Sequence, residues 1–134
     1  FIMTGAHMGW LYRQIHAWGA NLMVVIGFLH MLRTFVTGSF KKPRELTWIF
    51  GVFLFVFTLV FGFTGYLLPW NQLAYWATTV GTEVAGAVPG VGEFIKMLLR
   101  GGANVGAETL SRFFVIHVII LPWTVFFMIL IQYP

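Results

Sequence analysis

The chain has 134 residues, 59% of them hydrophobic and only 9% charged, against roughly 45–50% and about 25% in soluble domains. Mean hydropathy is +0.85, more apolar surface than a soluble globule of this length can hide, so bilayer lipid is the expected solvent. The absence of cysteine excludes disulfides, thiolate metal sites and thioether-linked cofactors, and the eight cations behind the net charge of +4 form no basic stripe for nucleic acid.

The chain opens on Phe1 with no basic leader or cleavage site, and it reads as an internal piece of a longer protein. The first apolar segment, Trp10 to Phe35, is the least pure, carrying Arg13, His16, Asn21, His30 and Arg33. A short basic loop, Phe35–Leu46, follows with Lys41, Lys42 and Arg44 around Pro43. Thr47 to Leu68 then runs without a charge; at about 1.5 Å per residue it spans roughly 33 Å, a full hydrocarbon core. Pro69 stops it. The connection from Trp70 to Thr109 is glycine-rich, with Gln72–Glu83 and Val91–Arg100 expected as short interfacial helices. Phe113 to Ile131 is again free of charge, and Pro122 is expected to kink it. The expected fold is therefore all-α: three transmembrane spans, with the interfacial helices between the last two, forming one membrane domain over residues 1–134. Arg33, Lys41, Lys42 and Arg44 crowd one side, which places that loop in the cytoplasm or its equivalent.

Ionisable groups are costly inside a spanning helix, so each is a functional candidate. Neutral imidazole is the least costly and is a good iron ligand. His16 and His30 are fourteen residues apart. At about 100° and 1.5 Å per residue they leave nearly the same face, about 21 Å apart along the axis. That spacing suits two stacked cofactors, one near each membrane surface. Interhelical hydrogen bonds explain one buried histidine well, but two at this spacing less well. His117 follows Arg112 by five residues, as His16 follows Arg13 by three. Separated by one antiparallel pass, the first and third spans run parallel, so His16 and His117 lie at similar depth and could clamp one iron from both faces. His7 precedes the first span and reads as a surface histidine.

Gly51 and Gly65 on the middle span are also fourteen apart, at the depths of His30 and of the His16–His117 pair. A flat porphyrin needs backbone close to its edge, which glycine permits; small-residue helix packing is the plainer alternative. Arg13 and Arg33 each sit about a turn from a histidine, where guanidinium forks would match propionate carboxylates. Snorkelling to the interface is the alternative there. The four acids, Glu45, Glu83, Glu93 and Glu108, are too scattered to form a carboxylate pair, and no catalytic side chain is identified.

His16-(x13)-His30, Arg33, the loop Lys41-Lys42-Pro43-Arg44-Glu45-Leu46-Thr47-Trp48, the segment Gly65-Tyr66-Leu67-Leu68-Pro69-Trp70-Asn71-Gln72, and Arg112-Phe113-Phe114 before His117 together resemble cytochrome b. The closer match is the short, split form of the cytochrome b6f complex, and the resemblance covers essentially the whole chain. It implies that the spans are helices two to four of a four-helix haem-binding bundle. It further implies two haem b groups, His16 and His117 ligating one on the positive side and His30 holding the other on the negative side. Pro69, Trp70, Tyr75, Trp76 and Ala77 would border a quinol oxidation pocket, where the Ala77 methyl would weaken strobilurin-type inhibitors. The family's Pro-Glu-Trp-Tyr motif is absent, so a second membrane subunit or a C-terminal half must supply its acid.

The function so implied is one-electron transfer. Quinol gives one electron to a Rieske iron–sulfur protein and the other to the low-potential haem, and a quinone is reduced across the membrane. A c-type cytochrome downstream, a twofold dimer and a bacterial plasma or thylakoid membrane complete the expectation. One position departs from the pattern: the family expects a histidine fourteen or fifteen residues after His117, where Ile131 and Gln132 stand before a usual Tyr133-Pro134 ending. The sixth ligand of the second haem is thus unassigned. Two rival readings stay open. One is a haem b anchor subunit of a dehydrogenase or hydrogenase, which would not be expected to carry the Lys-Lys-Pro-Arg loop; the other is a haem-free transporter, which a haem spectrum would separate.

Overall fold

The computed structural model describes residues 4–132, so Phe1 and the Tyr133–Pro134 ending lie outside the described residues. Regular structure among the described residues is helical throughout: α1 (Gly9–Val36), α2 (Glu45–Leu67), α3 (Gln72–Gly86), α4 (Gly92–Arg100), α5 (Ala107–Val115), a π turn (Ile116–Ile120) and α6 (Leu121–Gln132). Three stretches are long and apolar enough to cross a membrane: Gly9–Val36, Glu45–Leu67 and Ala107–Gln132. The all-α reading with three spans and two shorter helices before the last span is what the structure has. The main shift in boundary is at the third span, which begins at Ala107 rather than Phe113. Glu108 in its first turn complements the positive end of the helix dipole, so polar residues extend the helix where hydropathy alone would end it. Glu45 extends α2 in the same way.

The chain forms two compact units, divided between Leu59 and Val60. In the first, Gly38 (φ 72°) ends the turn after α1 in the left-handed region, and the basic loop reverses the chain. α1 and the early part of α2 are then bridged by aromatic side chains. Phe35 meets Trp48 and Phe28 meets Phe55, each pair with centroids 6.5 Å apart. The residue numbers rise on one helix as they fall on the other, which is antiparallel register. Phe40 in the loop stacks on Phe35 at 5.5 Å and tilts against Trp48 at 5.3 Å, closing the hairpin end.

The second unit holds the end of α2 and everything after it. Pro69 denies α2 another backbone donor. The Asn71 side chain then accepts from Ala74 N–H at 2.8 Å and caps α3. Leu67, Ala74 and Phe113 form the buried core, with Phe63, Leu68, Leu99 and Leu110 packed around it. α3 packs on α4, and α4 on α5. A π turn stands just ahead of Pro122, where the sequence suggests a kink. Proline has no N–H and its ring crowds the carbonyl four residues back; the turn widens, and the Leu121 N–H reaches Ile116 O, five residues back.

Candidate functional site

His117 is the best-defined candidate. It sits in the π turn, half-buried, against the last turns of α2. A Cβ on Gly65 would lie 2.6 Å from His117 Cε1, 3.1 Å from Nδ1 and 3.2 Å from Nε2, so only glycine leaves room for the imidazole on bare backbone. The preceding residue, Thr64, is 2% exposed and places Oγ1 3.2 Å from His117 Nδ1. Phe61, one turn earlier, meets the imidazole edge-on at a centroid distance of 5.3 Å. Phe61, Thr64 and Gly65, within the last turns of α2, thus all contact one ring. Phe63 packs on Phe113 at 5.6 Å beside it, holding the end of α2 and α5 together.

The candidates Arg13, His16, His30, Arg33 and Gly51 lie in the first unit. His16 and His30 are both on α1 and both exposed on the chain alone, as are Arg13 and Arg33. Gly51 is half-buried on α2. His7 is exposed in the turn before α1. Among the described residues, no group of three or more His, Asp or Glu side chains gathers to hold a metal ion. Gln132 is the last residue of α6.

Behind Pro69, Trp70 adopts φ 54°, a left-handed conformation unusual for a bulky residue and worth a functional reading. Trp70, Tyr75 and Trp76 stand edge to face in sequence, at 6.3 and 5.1 Å. With Asn71 and Gln72 they line an open hollow of about 420 Å³. Pro69 and Ala77, expected in the same pocket, are exposed and outside that lining.

The structure also shows residues that sequence reading passed over. The Arg100 side chain is 4% exposed. Its Nε donates to Thr82 Oγ1 at 2.8 Å, Nη1 to Ala103 O at 3.0 Å, and Nη2 to Thr79 O at 3.1 Å and Glu83 Oε1 at 3.0 Å. Thr109 Oγ1 donates to the Arg100 carbonyl at 2.6 Å, tying α5 to the same knot. The hydrogen bond from Arg100, and then the charge of Lys96, hold the Glu83 carboxyl below its ordinary value. Lys96 is raised in turn, first by its bond to Glu93 and then by the charge of Glu83, against partial desolvation. Arg112 Nη1 donates to Leu98 O, fastening α5 to α4. The one signal for these was Arg100 together with Thr79 and Thr82, one helical turn apart on α3; for Thr64 it was adjacency to Gly65.

A family model described as Cytochrome b/b6/petB matches residues 1–133. The chain belongs to this cytochrome b family. Cytochrome b6 of Acaryochloris marina is 50% identical over 133 residues, 99% of this chain and 62% of that protein. Cytochrome b6 of Chlamydomonas reinhardtii is 53% identical over 122 residues (91% and 57%), and that of Gloeobacter violaceus 52% over 131 (97% and 61%). The chain therefore spans about three fifths of the length of these relatives. In this chain of the family, Gly65, Thr64 and His117 are drawn together within the second unit.

Proposed function

We propose that this chain is the haem b-binding core of a quinol-oxidising membrane complex of the Rieske/cytochrome b type. It would carry electrons across the membrane between a quinol-oxidising and a quinone-reducing site. The observation that carries the reading is the His117 imidazole seated against the bare backbone of Gly65, in a chain whose residues 1–133 match the family. The donor chemistry fits a porphyrin better than a bare ion: among the described residues the histidines occur singly along the helices, with no protein cluster to complete a coordination sphere. His117 and His16 would hold one haem and His30 a second, all three acting as metal ligands. Gly65 and Gly51 would admit the ring edges, and Arg13 and Arg33 would neutralise propionates. When bound, haem supplies reversible one-electron chemistry, its potential set by ligands, hydrogen bonds and burial.

The residues of the chain do the rest. The apolar spans exclude water and provide a low-dielectric path. Trp70, Tyr75 and Trp76 offer aromatic faces and edges on which a quinol ring would stack, and the Asn71 and Gln72 amides offer donors to its oxygens. No carboxylate lines that hollow, so the proton acceptor would come from a second membrane subunit or a C-terminal half of cytochrome b. A Rieske iron–sulfur protein, a c-type cytochrome, membrane lipid and a twofold partner complex are the further partners proposed. The setting is a bacterial plasma or thylakoid membrane, in which residues 1–134 act as a single haem-binding domain.

The test is the spectrum of the purified complex carrying His117→Ala. Loss of one low-spin haem signal is expected. An unchanged Soret band and resonance spectrum would refute the assignment, and a wild-type complex without haem would end the reading altogether.

A further inference from the structure

The Thr64 hydroxyl has one proton and three neighbours. Oγ1 lies 2.9 Å from Val60 O, 3.2 Å from Phe61 O and 3.2 Å from His117 Nδ1. A carbonyl oxygen can only accept. An unprotonated oxygen facing Val60 O at 2.9 Å would set two lone pairs against each other, so the hydroxyl proton points back along the helix. This is the usual back-bond of a helical threonine to the carbonyl four residues earlier. The oxygen then meets Nδ1 with its lone pairs, and the hydrogen bond forms only if Nδ1 carries the proton. A neutral imidazole protonated on Nδ1 keeps its lone pair on Nε2.

We infer that Thr64 is a positioning residue that fixes His117 in the Nδ1–H tautomer, the one able to ligate iron through Nε2, and that it tunes that ligand through the shared hydrogen bond. The inference rests on the reading of His117 as a haem ligand. Its physical content is ordinary: a hydrogen-bond acceptor on the far nitrogen fixes the ring's tautomer and orientation and strengthens it as a donor. The site is suited to the task. Thr64 is 2% exposed, so water does not compete for Nδ1–H. Phe61 bounds the ring edge-on and Gly65 backs it, so the imidazole has little room to turn away.

The experiment compares Thr64→Val, Thr64→Ser and His117→Ala in the whole haem-loaded complex. Valine keeps the shape and removes the hydroxyl. It should speed loss of the haem held by His117 by about tenfold and raise that haem's reduction potential, because a weaker donor favours oxidised iron less. Serine should restore both. A structural role for Thr64 would alter retention without a serine-reversible change in potential. If His117→Ala removes the haem while Thr64→Val changes neither retention nor potential, the inference is overturned and the ligand assignment stands. If His117→Ala leaves the haem in place, the assignment itself falls. Should the valine complex fail to assemble, proton hyperfine spectroscopy of the unmodified complex decides. A hydrogen-bonded exchangeable proton on Nδ1 of the ligand supports the inference; an Nδ1 proton without a hydrogen bond overturns it.

Discussion

Alanine at Gly65 tests the cradle most directly. The new methyl would begin 2.6 Å from His117 Cε1, whereas ordinary contact begins near 3.4 Å, so the ring must retreat by about 0.8 Å. Phe61 stands at its edge, and the Thr64 Oγ1–Nδ1 separation, already 3.2 Å, lengthens past hydrogen-bonding range. The lost hydrogen bond is worth about 1 kcal/mol and the overpacking about 1–3 kcal/mol. The total of about 2–4 kcal/mol corresponds to a roughly 30- to 700-fold weaker hold on a ligand that needs this ring geometry. Gly62 supplies the control. It lies three residues earlier on α2 with nothing within 4 Å of its would-be Cβ, so Gly62→Ala should be neutral or stabilising by about 0.5–1 kcal/mol through helix propensity. Thermal unfolding followed by helical circular dichroism, together with haem retained per purified complex, reads both variants. Gly65→Ala should lower Tm and haem content while Gly62→Ala lowers neither. Equal behaviour of the two would refute the argument.

Arg100→Met removes four side-chain hydrogen bonds from a buried guanidinium and should destabilise the α3–α4 pair by about 1–3 kcal/mol, seen as faster proteolysis within residues 72–106; wild-type resistance would count against it. Because Glu83 is held below its ordinary value of 4.5, its contribution is present above that pH and is lost as pH falls through the lower folded value. Lys96 is raised above 10.5, so its contribution holds below that pH and is lost as pH climbs through the higher folded value. Melting of the complex should therefore weaken at both extremes, and Glu83→Gln should flatten the acid limb. Gln132 stands where the second haem's histidine is expected, so the reduced complex should bind carbon monoxide and Gln132→His should abolish that binding. Carbon monoxide binding unaffected by the substitution would refute the assignment.

The second and third spans were legible because a charge-free run is a strong signal, and their starts were placed late because the helices begin among polar residues that complement the dipole, Glu45 and Glu108. The spacing put Gly65 at the depth of His117 but as room for a porphyrin edge; the imidazole resting on it was not foreseen. Nor was Thr64, since a threonine on an apolar helix ordinarily spends its hydroxyl on its own backbone, and this one does so while also meeting an imidazole. Arg100 was passed over, because nothing local distinguishes an exposed arginine from one whose fork is filled by a threonine hydroxyl and a carbonyl of a neighbouring helix. The hollow beside Trp70 was anticipated in its aromatics but not in its amides.

The π turn has a consequence for how the last span should be counted. Phe113, His117 and Leu121 are four residues apart, and all three are buried or half-buried. On an ordinary helix each four-residue step overshoots a full turn by about 40°, so a stripe at that spacing drifts around the axis. The first step, through α5, takes that drift. The second passes through the wider turn, which rotates less per residue, and the drift is given back. The extra residue acts as a phase corrector that keeps the ring in line with the buried positions on either side. The face on which His117 emerges is therefore decided by residue count as well as by contact, and inserting or deleting one residue between Phe113 and Leu121 would swing one end of the span by about 100° relative to the other with its hydropathy unchanged.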